Sequence, residues 1–223
     1  MIKKKLVKNA KKIDQFLIKF LKKQKQSTLV KPMKYGVLSG GKKIRSTIIF
    51  DTGKIFNINE NKLINVCAAV ECIHSYSLIH DDLPCMDNDL IRRGKPSAHV
   101  KFGEASAVLA GSSLLTLAFE IITSKKYSLN SNMKNELIRS LASCSGHTGI
   151  AGGQELDLKF ENKKKRLNQV IDMQKKKTGK LFNFCLNAVG IIANKSKKEK
   201  FFLGNLGEEI GLLFQFADDL LDK

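Results

Sequence analysis

A chain of 223 residues, 43% of them hydrophobic, can build a substantial core, and no run of about 18 apolar residues marks it as membrane-spanning. The formal charge of +18 invites a nucleic-acid partner, but the lysines are spread over the whole chain, not gathered among aromatics. The 5 Cys include no CxxC and no Cys/His cluster at ligand spacing, which excludes a zinc site and leaves buried free thiols in a reducing, cytoplasmic setting as the expectation.

Apolar residues recur with a helical period nearly throughout. Leu6, Ile13, Leu17, Phe20 and Leu21 line one face of a basic N-terminal helix, expected to pack on the domain. This lysine-rich start lacks the apolar core of a secretory signal. Residues 27–41 read as a loop, interrupted by Pro32, Gly36, Gly40 and Gly41. Helices are predicted over about 42–56 and about 60–82, with a turn near 57–61. Pro84 stops the second, because proline lacks the ladder N–H and pushes Leu83 out of the helical region. Further helices are predicted over roughly 103–124, 133–150, 166–194 and 199–222, with a charged loop at about 162–166. No useful strand alternation and no fixed-period repeat is found. The expected fold is therefore all-α, one domain over residues 1–223, a large bundle around a deep central cavity.

Two acidic clusters carry the chemistry. Asp81-Asp82-Leu83-Pro84-Cys85-Met86-Asp87 is the first, and Asp218-Asp219-Leu220-Leu221-Asp222 is the second. Asp218 and Asp222 stand four apart and share a helix face. Asp81 and Asp87 would not share one on a straight helix, but the bend at Pro84 can return Asp87 towards Asp81. Carboxylates embedded in apolar helical sequence are costly unless paired or bound to metal. Two such clusters would hold hard cations through oxygen, and Mg2+ fits because it shares its ligands with substrate phosphates and water. A lone cluster would read as a solvated helix end. The basic features suit anions. Gly40-Gly41-Lys42-Lys43-Ile44-Arg45 places glycines and cations at a helix start, and the adjacent Arg92 and Arg93 can each fork onto a different phosphate group.

Residues 71–111 read ECIHSYSLIHDDLPCMDNDLIRRGKPSAHVKFGEASAVLAG. This segment resembles the first aspartate-rich region of trans-isoprenyl diphosphate synthases, bacterial farnesyl diphosphate synthases (geranyltranstransferases) above all. GGKKIR at 40–45, GIAGGQELD at 149–157, Lys177-Thr178-Gly179 and FQFADDLLD at 214–222 resemble further motifs of that family, in the same order. The resemblance implies an isoprenoid synthase-type bundle and a prenyl transferase that condenses dimethylallyl or geranyl diphosphate with isopentenyl diphosphate to give farnesyl diphosphate. Geranyl or geranylgeranyl diphosphate is the alternative product, and a weakly active subunit of a complex is the alternative role. It implies three Mg2+ ions, with Mn2+ as the substitute, held by Asp81, Asp82 and Asp87 from one wall and Asp218, Asp219 and Asp222 from the other.

By the same resemblance, Arg92 and Lys177 bind the allylic diphosphate, while Lys42, Arg45, His74 and Arg93 bind isopentenyl diphosphate. Thr178 and Gln215 lie beside the allylic cation, and Gln154 and Asp157 support the site or merely pack. His74 precedes Asp81 by about two turns on one face; His80, His99 and His147 are expected to be structural. Tyr76 sits about 7.5 Å below Asp81 along the helix, as a floor that limits product length or as a core aromatic. Relatives are mostly homodimers, so a homodimer is expected here, and for this chain neither stable membrane insertion nor a nucleic-acid partner is expected. Departures are Lys43 for the usual Arg, Ser46 for Pro and Leu90 for Asp. Relatives also continue beyond the second cluster with helices that help to close the site, so this domain is expected to be C-terminally truncated, as a fragment or a truncated gene.

Overall fold

The computed structural model describes residues 2–24, 27–161 and 163–221. They are overwhelmingly helical: α1 Ile2–Lys22, α2 Val30–Val37, α3 Ile44–Ile55, α4 Ile64–Asp81, α5 Ala98–Phe102, α6 Glu104–Thr123, α7 Ser131–Ser145, α8 Ile150–Phe160, α9 Leu167–Gln174, α10 Lys180–Ile192 and α11 Lys197–Leu221. A π-helical turn, Lys175–Gly179, joins α9 to α10, and a small antiparallel hairpin pairs β1 (Ile91–Arg92) with β2 (Lys95–Pro96). The residues group into two compact units. One is drawn from Met1–Thr47 and Leu63–Tyr127, the other from Ile48–Lys62 and Ser128–Lys223.

The first unit is organised around α4. Its residues Asn65 to Ile73 are all buried, which is why its sequence shows little amphipathic period: a helix covered on all sides has no polar face to display. α6 packs along it through Ala107, Ala110, Gly111, Leu114 and Ala118. Gly111 is needed there because any Cβ would collide with the imidazole of His80. By length and composition α6 could cross a membrane, an 18-residue stretch of it having mean hydropathy 1.7, with 44% of that stretch buried. α1 buries Asn9, Ile13, Leu17 and Leu21, and Asn9 donates to the Thr47 hydroxyl at 3.2 Å.

α2 falls where a loop was expected. Its Pro32 is the third helical residue, where an N–H has no intrahelical acceptor and its loss is harmless. Gly36 is not a breaker either: α2 approaches α4 so closely that a Cβ at this position would strike Ile79. The hairpin was also missed, being only 2 residues per strand. Its central Arg93 and Gly94 both have positive φ, 53° and 72°, as a type I′ connection requires.

In the second unit α10 is buried along nearly its whole length and packs against α11. Gly204, Gly207 and Gly211 form one face of α11. At Gly207 a Cβ would strike the Phe182 backbone, and at Gly211 it would lie 2.8 Å from the Cα of Gly179. The helix predicted over 133–150 ends early: α7 stops at Ser145, a turn carrying Gly146 and Gly149 follows, and α8 lies almost wholly beyond the predicted span. A side chain at Gly149 would collide with the Cys144 carbonyl. All 5 Cys are free; four are buried as expected, but Cys85 is exposed because it lies in the turn that Pro84 creates.

Candidate active site

The first acidic cluster sits where α4 ends. Asp82 is its C-cap residue, and the chain then turns tightly: the Met86 amide donates to the Leu83 carbonyl at 2.8 Å and the Asp87 amide to the Asp81 carbonyl at 2.9 Å. The bend at Pro84 thus returns Asp87 to Asp81. Asp87 is exposed and Asp81 half-buried. Asp82 differs: it is buried and receives the guanidinium of Arg92, whose Nε lies 2.9 Å from Oδ1 and whose Nη2 donates to the same oxygen. Arg92 also reaches Asp89 Oδ2 at 2.7 Å. Burial opposes the Arg92 charge, but the bond to Asp82 and the charges of Asp82, Asp89 and Asp81 outweigh it and push its pKa up.

Arg93, its neighbour on the hairpin, points to the glycine loop. Its Nη1 donates to the Gly40 carbonyl at 2.7 Å and to the Ser39 hydroxyl at 3.2 Å. The guanidinium lies on Gly41, where a Cβ would be 2.7 Å from Cζ. Gly40, Gly41 and Lys43 all take positive φ, 92°, 97° and 47°. Lys42 is exposed and Arg45, in the first turn of α3, is half-buried. His74 faces these cations. Burial, then Arg45, Arg93, Lys43 and Arg92, lower its pKa well below the usual imidazole range, so it is neutral.

Tyr76 is buried, its ring edge-on to His80 with centroids 5.7 Å apart. Burial and the Asp81 charge raise its phenol to about 12. His80 Nε2 lies 3.0 Å from the Val108 carbonyl on α6. His99 is buried and His147 exposed.

In the second unit the π turn presents Lys177 and Thr178. Single π turns inside helices recur at functional positions, and here two glycines accommodate it: a Cβ at Gly153 on α8 would run into the Lys177 backbone, and Gly211 approaches Gly179. Lys177 Nζ donates to Asp157 Oδ2. Thr178 donates its hydroxyl to Gln215 Oε1 at 2.9 Å, and Gln215 Nε2 donates to Asp219 Oδ1 at 2.8 Å. Asp218 and Asp219 are exposed on the last turn of α11, Gln154 is buried on α8, and Asp222 lies outside the described residues.

Each unit therefore gathers its own share of the expected residues. Among the described residues no three His, Cys, Asp or Glu side chains converge into a ready metal cage. The donors offered are carboxylate oxygens with Asp82 engaged by arginine. That suits an ion such as Mg2+, which takes one or two protein carboxylates and completes its shell with phosphate and water. Sequence reasoning missed Asp89, although an acid three residues before an arginine is a pairing signal. It also missed Glu71, hidden in an apolar run.

Residues 26–223 match the polyprenyl synthetase family. The chain is 44% identical over 196 residues to the farnesyl diphosphate synthase of Escherichia coli K12, covering 87% of this chain and 66% of that enzyme. It is 44% identical over 199 residues to the farnesyl diphosphate synthase of Buchnera aphidicola from Acyrthosiphon pisum, covering 88% of this chain and 71% of the relative. The chain thus spans about two thirds of the length of these curated relatives. Among solved structures it superposes on an FPP/GFPP synthase from Zymomonas mobilis with TM-score 0.93 and 41% identity, covering 99% of this chain and 81% of the other.

Proposed function

The chain belongs to the polyprenyl synthetase family, and from that premise we propose that it condenses an allylic diphosphate, dimethylallyl or geranyl, with isopentenyl diphosphate to give farnesyl diphosphate and pyrophosphate. The observation that carries this reading is the division of two adjacent arginines. Arg92 lies among the aspartates at the end of α4, and Arg93 lies on the Gly40–Gly41 loop. One hairpin thereby serves two anion subsites, as a reaction between two diphosphates needs.

In this reading Arg92 and Lys177 hold the allylic diphosphate, and Lys42, Arg45, Arg93 and neutral His74 hold isopentenyl diphosphate. Mg2+ held by Asp81 and Asp87, and a further Mg2+ held by Asp218 and Asp219, would offset the charge that accumulates on the leaving pyrophosphate. The Arg and Lys clamps supply the same stabilisation from fixed positions. The allylic carbon–oxygen bond breaks with its electron pair on pyrophosphate, the isopentenyl double bond attacks the allylic carbon, and a proton leaves for the departed pyrophosphate. The Thr178 hydroxyl and the Gln215 amide, hydrogen-bonded to each other, would lie beside the cation. Exclusion of water protects the cation. A cytoplasmic homodimer belongs to the same proposal. The similarity to an FPP/GFPP synthase keeps a longer product as the second reading.

The test is to incubate the chain with Mg2+, isopentenyl diphosphate and each allylic diphosphate, then measure product length. Farnesyl diphosphate as the main product is expected. A geranylgeranyl product would correct the chain length, and absence of any condensed product would overturn the assignment.

A further inference from the structure

Beneath the glycine loop lies a buried charged network that the proposed reaction does not use. Glu71 is 2% exposed, on the face of α4 that also carries His74 one turn later. Its Oε1 accepts a hydrogen bond from the Ser46 hydroxyl at 2.7 Å, and its Oε2 lies 3.6 Å from Nζ of the equally buried Lys43. Lys43 donates to the Val37 carbonyl at 2.8 Å and lies 3.8 Å from Asp14 of α1. Lys43 and Ser46 are two of the positions at which this chain departs from the pattern it resembles, and both converge on one carboxylate.

We propose that Glu71 is a positioning residue for the isopentenyl diphosphate subsite: through Lys43 and Ser46 it holds the 40–45 loop in the shape that presents Lys42 and Arg45. The inference rests on the reading above for the identity of the anion. Its logic is conformational. A non-glycine residue with positive φ persists only where its surroundings over-determine it, and Lys43 at φ 47° is held there by its inward-turned, ion-paired side chain. With Lys43 drawn inward, its neighbour Lys42 is left exposed. Ser46, in the first turn of α3, is tied to α4 by the same carboxylate and to the Cys67 carbonyl at 3.3 Å. The start of α3, and with it Arg45, is thereby fixed to the helix that carries His74. Glu71 is also the main counter-charge felt by Arg93, where it offsets part of the effect of burial.

The experiment exploits a conflict of sign. A carboxylate near an anion subsite opposes anion binding by Coulomb's law, so removing it tightens binding unless its real work is positioning. Glu71→Gln keeps the shape and removes the charge. The dissociation constant of isopentenyl diphosphate is measured by calorimetry without added metal, and both Michaelis constants are measured with Mg2+. Expected is binding weakened about tenfold or more, an isopentenyl KM raised to match, and an allylic KM within about twofold of the parent. Ser46→Ala, a smaller lesion, should move the same constants in the same direction. Glu71→Asp should recover part of the loss. Tighter or unchanged isopentenyl diphosphate binding in Glu71→Gln overturns the inference, as does an equal rise in both KM values together with a fall in Tm. If Glu71→Gln does not fold, unchanged constants in Ser46→Ala overturn it instead. A parent chain that binds isopentenyl diphosphate but does not turn it over would sink the reaction and leave this inference standing on the binding constants. A parent that does not bind it would sink both.

Discussion

The backbone amide of Asp87 donates to the carbonyl of Asp81 at 2.9 Å, closing the turn that Pro84 opens. Six residues apart in sequence, the two carboxylates thus start from one locked turn. The assigned metal role is tested by replacing Asp81 of this turn and Asp218 of the second cluster. Asp81→Ala and Asp218→Ala should each lower turnover by about 10²-fold or more while leaving the fold intact. Steady-state kinetics with saturating Mg2+ would check this, and near-parental turnover in either variant would contradict it.

Arg45 is assigned to the diphosphate that does not ionise. Arg45→Ala should raise the isopentenyl KM by about tenfold or more, with a smaller change in kcat and little in the allylic KM. A rise confined to the allylic KM would reverse the two subsites.

The π turn that carries Lys177 and Thr178 depends on Gly153, whose missing side chain makes room for the Lys177 backbone. Gly153→Ala forces that turn to move and should cost about 1–3 kcal/mol, as overpacking does. Calorimetry should show a lowered Tm, and kcat should fall by about tenfold as Lys177 and Thr178 are displaced.

His74 is neutral in the folded chain because burial and four cations depress its pKa. In the unfolded chain it titrates near the ordinary value of about 6.5. Below that pH the unfolded state binds the extra proton and the folded state does not, so stability falls on acidification from about 6.5 towards the depressed folded pKa. Denaturant melts of the parent and of His74→Gln across this range would check it: the variant should lose that part of the slope.

Tyr76 is the proposed floor for the growing chain. Tyr76→Ala should shift product towards geranylgeranyl diphosphate as an apolar tail fills the vacated space. It should also cost about 3 kcal/mol or more, as truncation of a buried aromatic does. Its ring leans on His80, whose imidazole packs over Gly111, so Tyr76 is a packed residue in either role. Product distribution at equal total turnover separates the two.

The helical order was legible because most helices carry an apolar period, and α4 was found despite having almost none because turn residues and Pro84 bracket it. α2 was not legible: Pro32 and Gly36 look like breakers in isolation, and only the first-turn position of one and the contact of the other with Ile79 make them compatible with a helix. The hairpin at Arg92–Lys95 is too short for any alternation to register. At the site, residue types and order named the aspartates and arginines, and the return of Asp87 could be anticipated from Pro84. The pairing of Asp82 with Arg92 could not, since nothing in two adjacent aspartates says which one turns into the protein. Glu71 was hidden for a related reason: its partners, Lys43 and Ser46, are 28 and 25 residues away in sequence.

The most direct measurement is of pyrophosphate release by the parent chain with Mg2+, given geranyl diphosphate alone, isopentenyl diphosphate alone, and both together. Prenyl transfer predicts negligible release from isopentenyl diphosphate alone and slow release at most from geranyl diphosphate alone. With both present it predicts rapid release of one pyrophosphate for each farnesyl diphosphate formed. Release from geranyl diphosphate that is equally fast without the second substrate, with a hydrolysed alcohol as product, would contradict it.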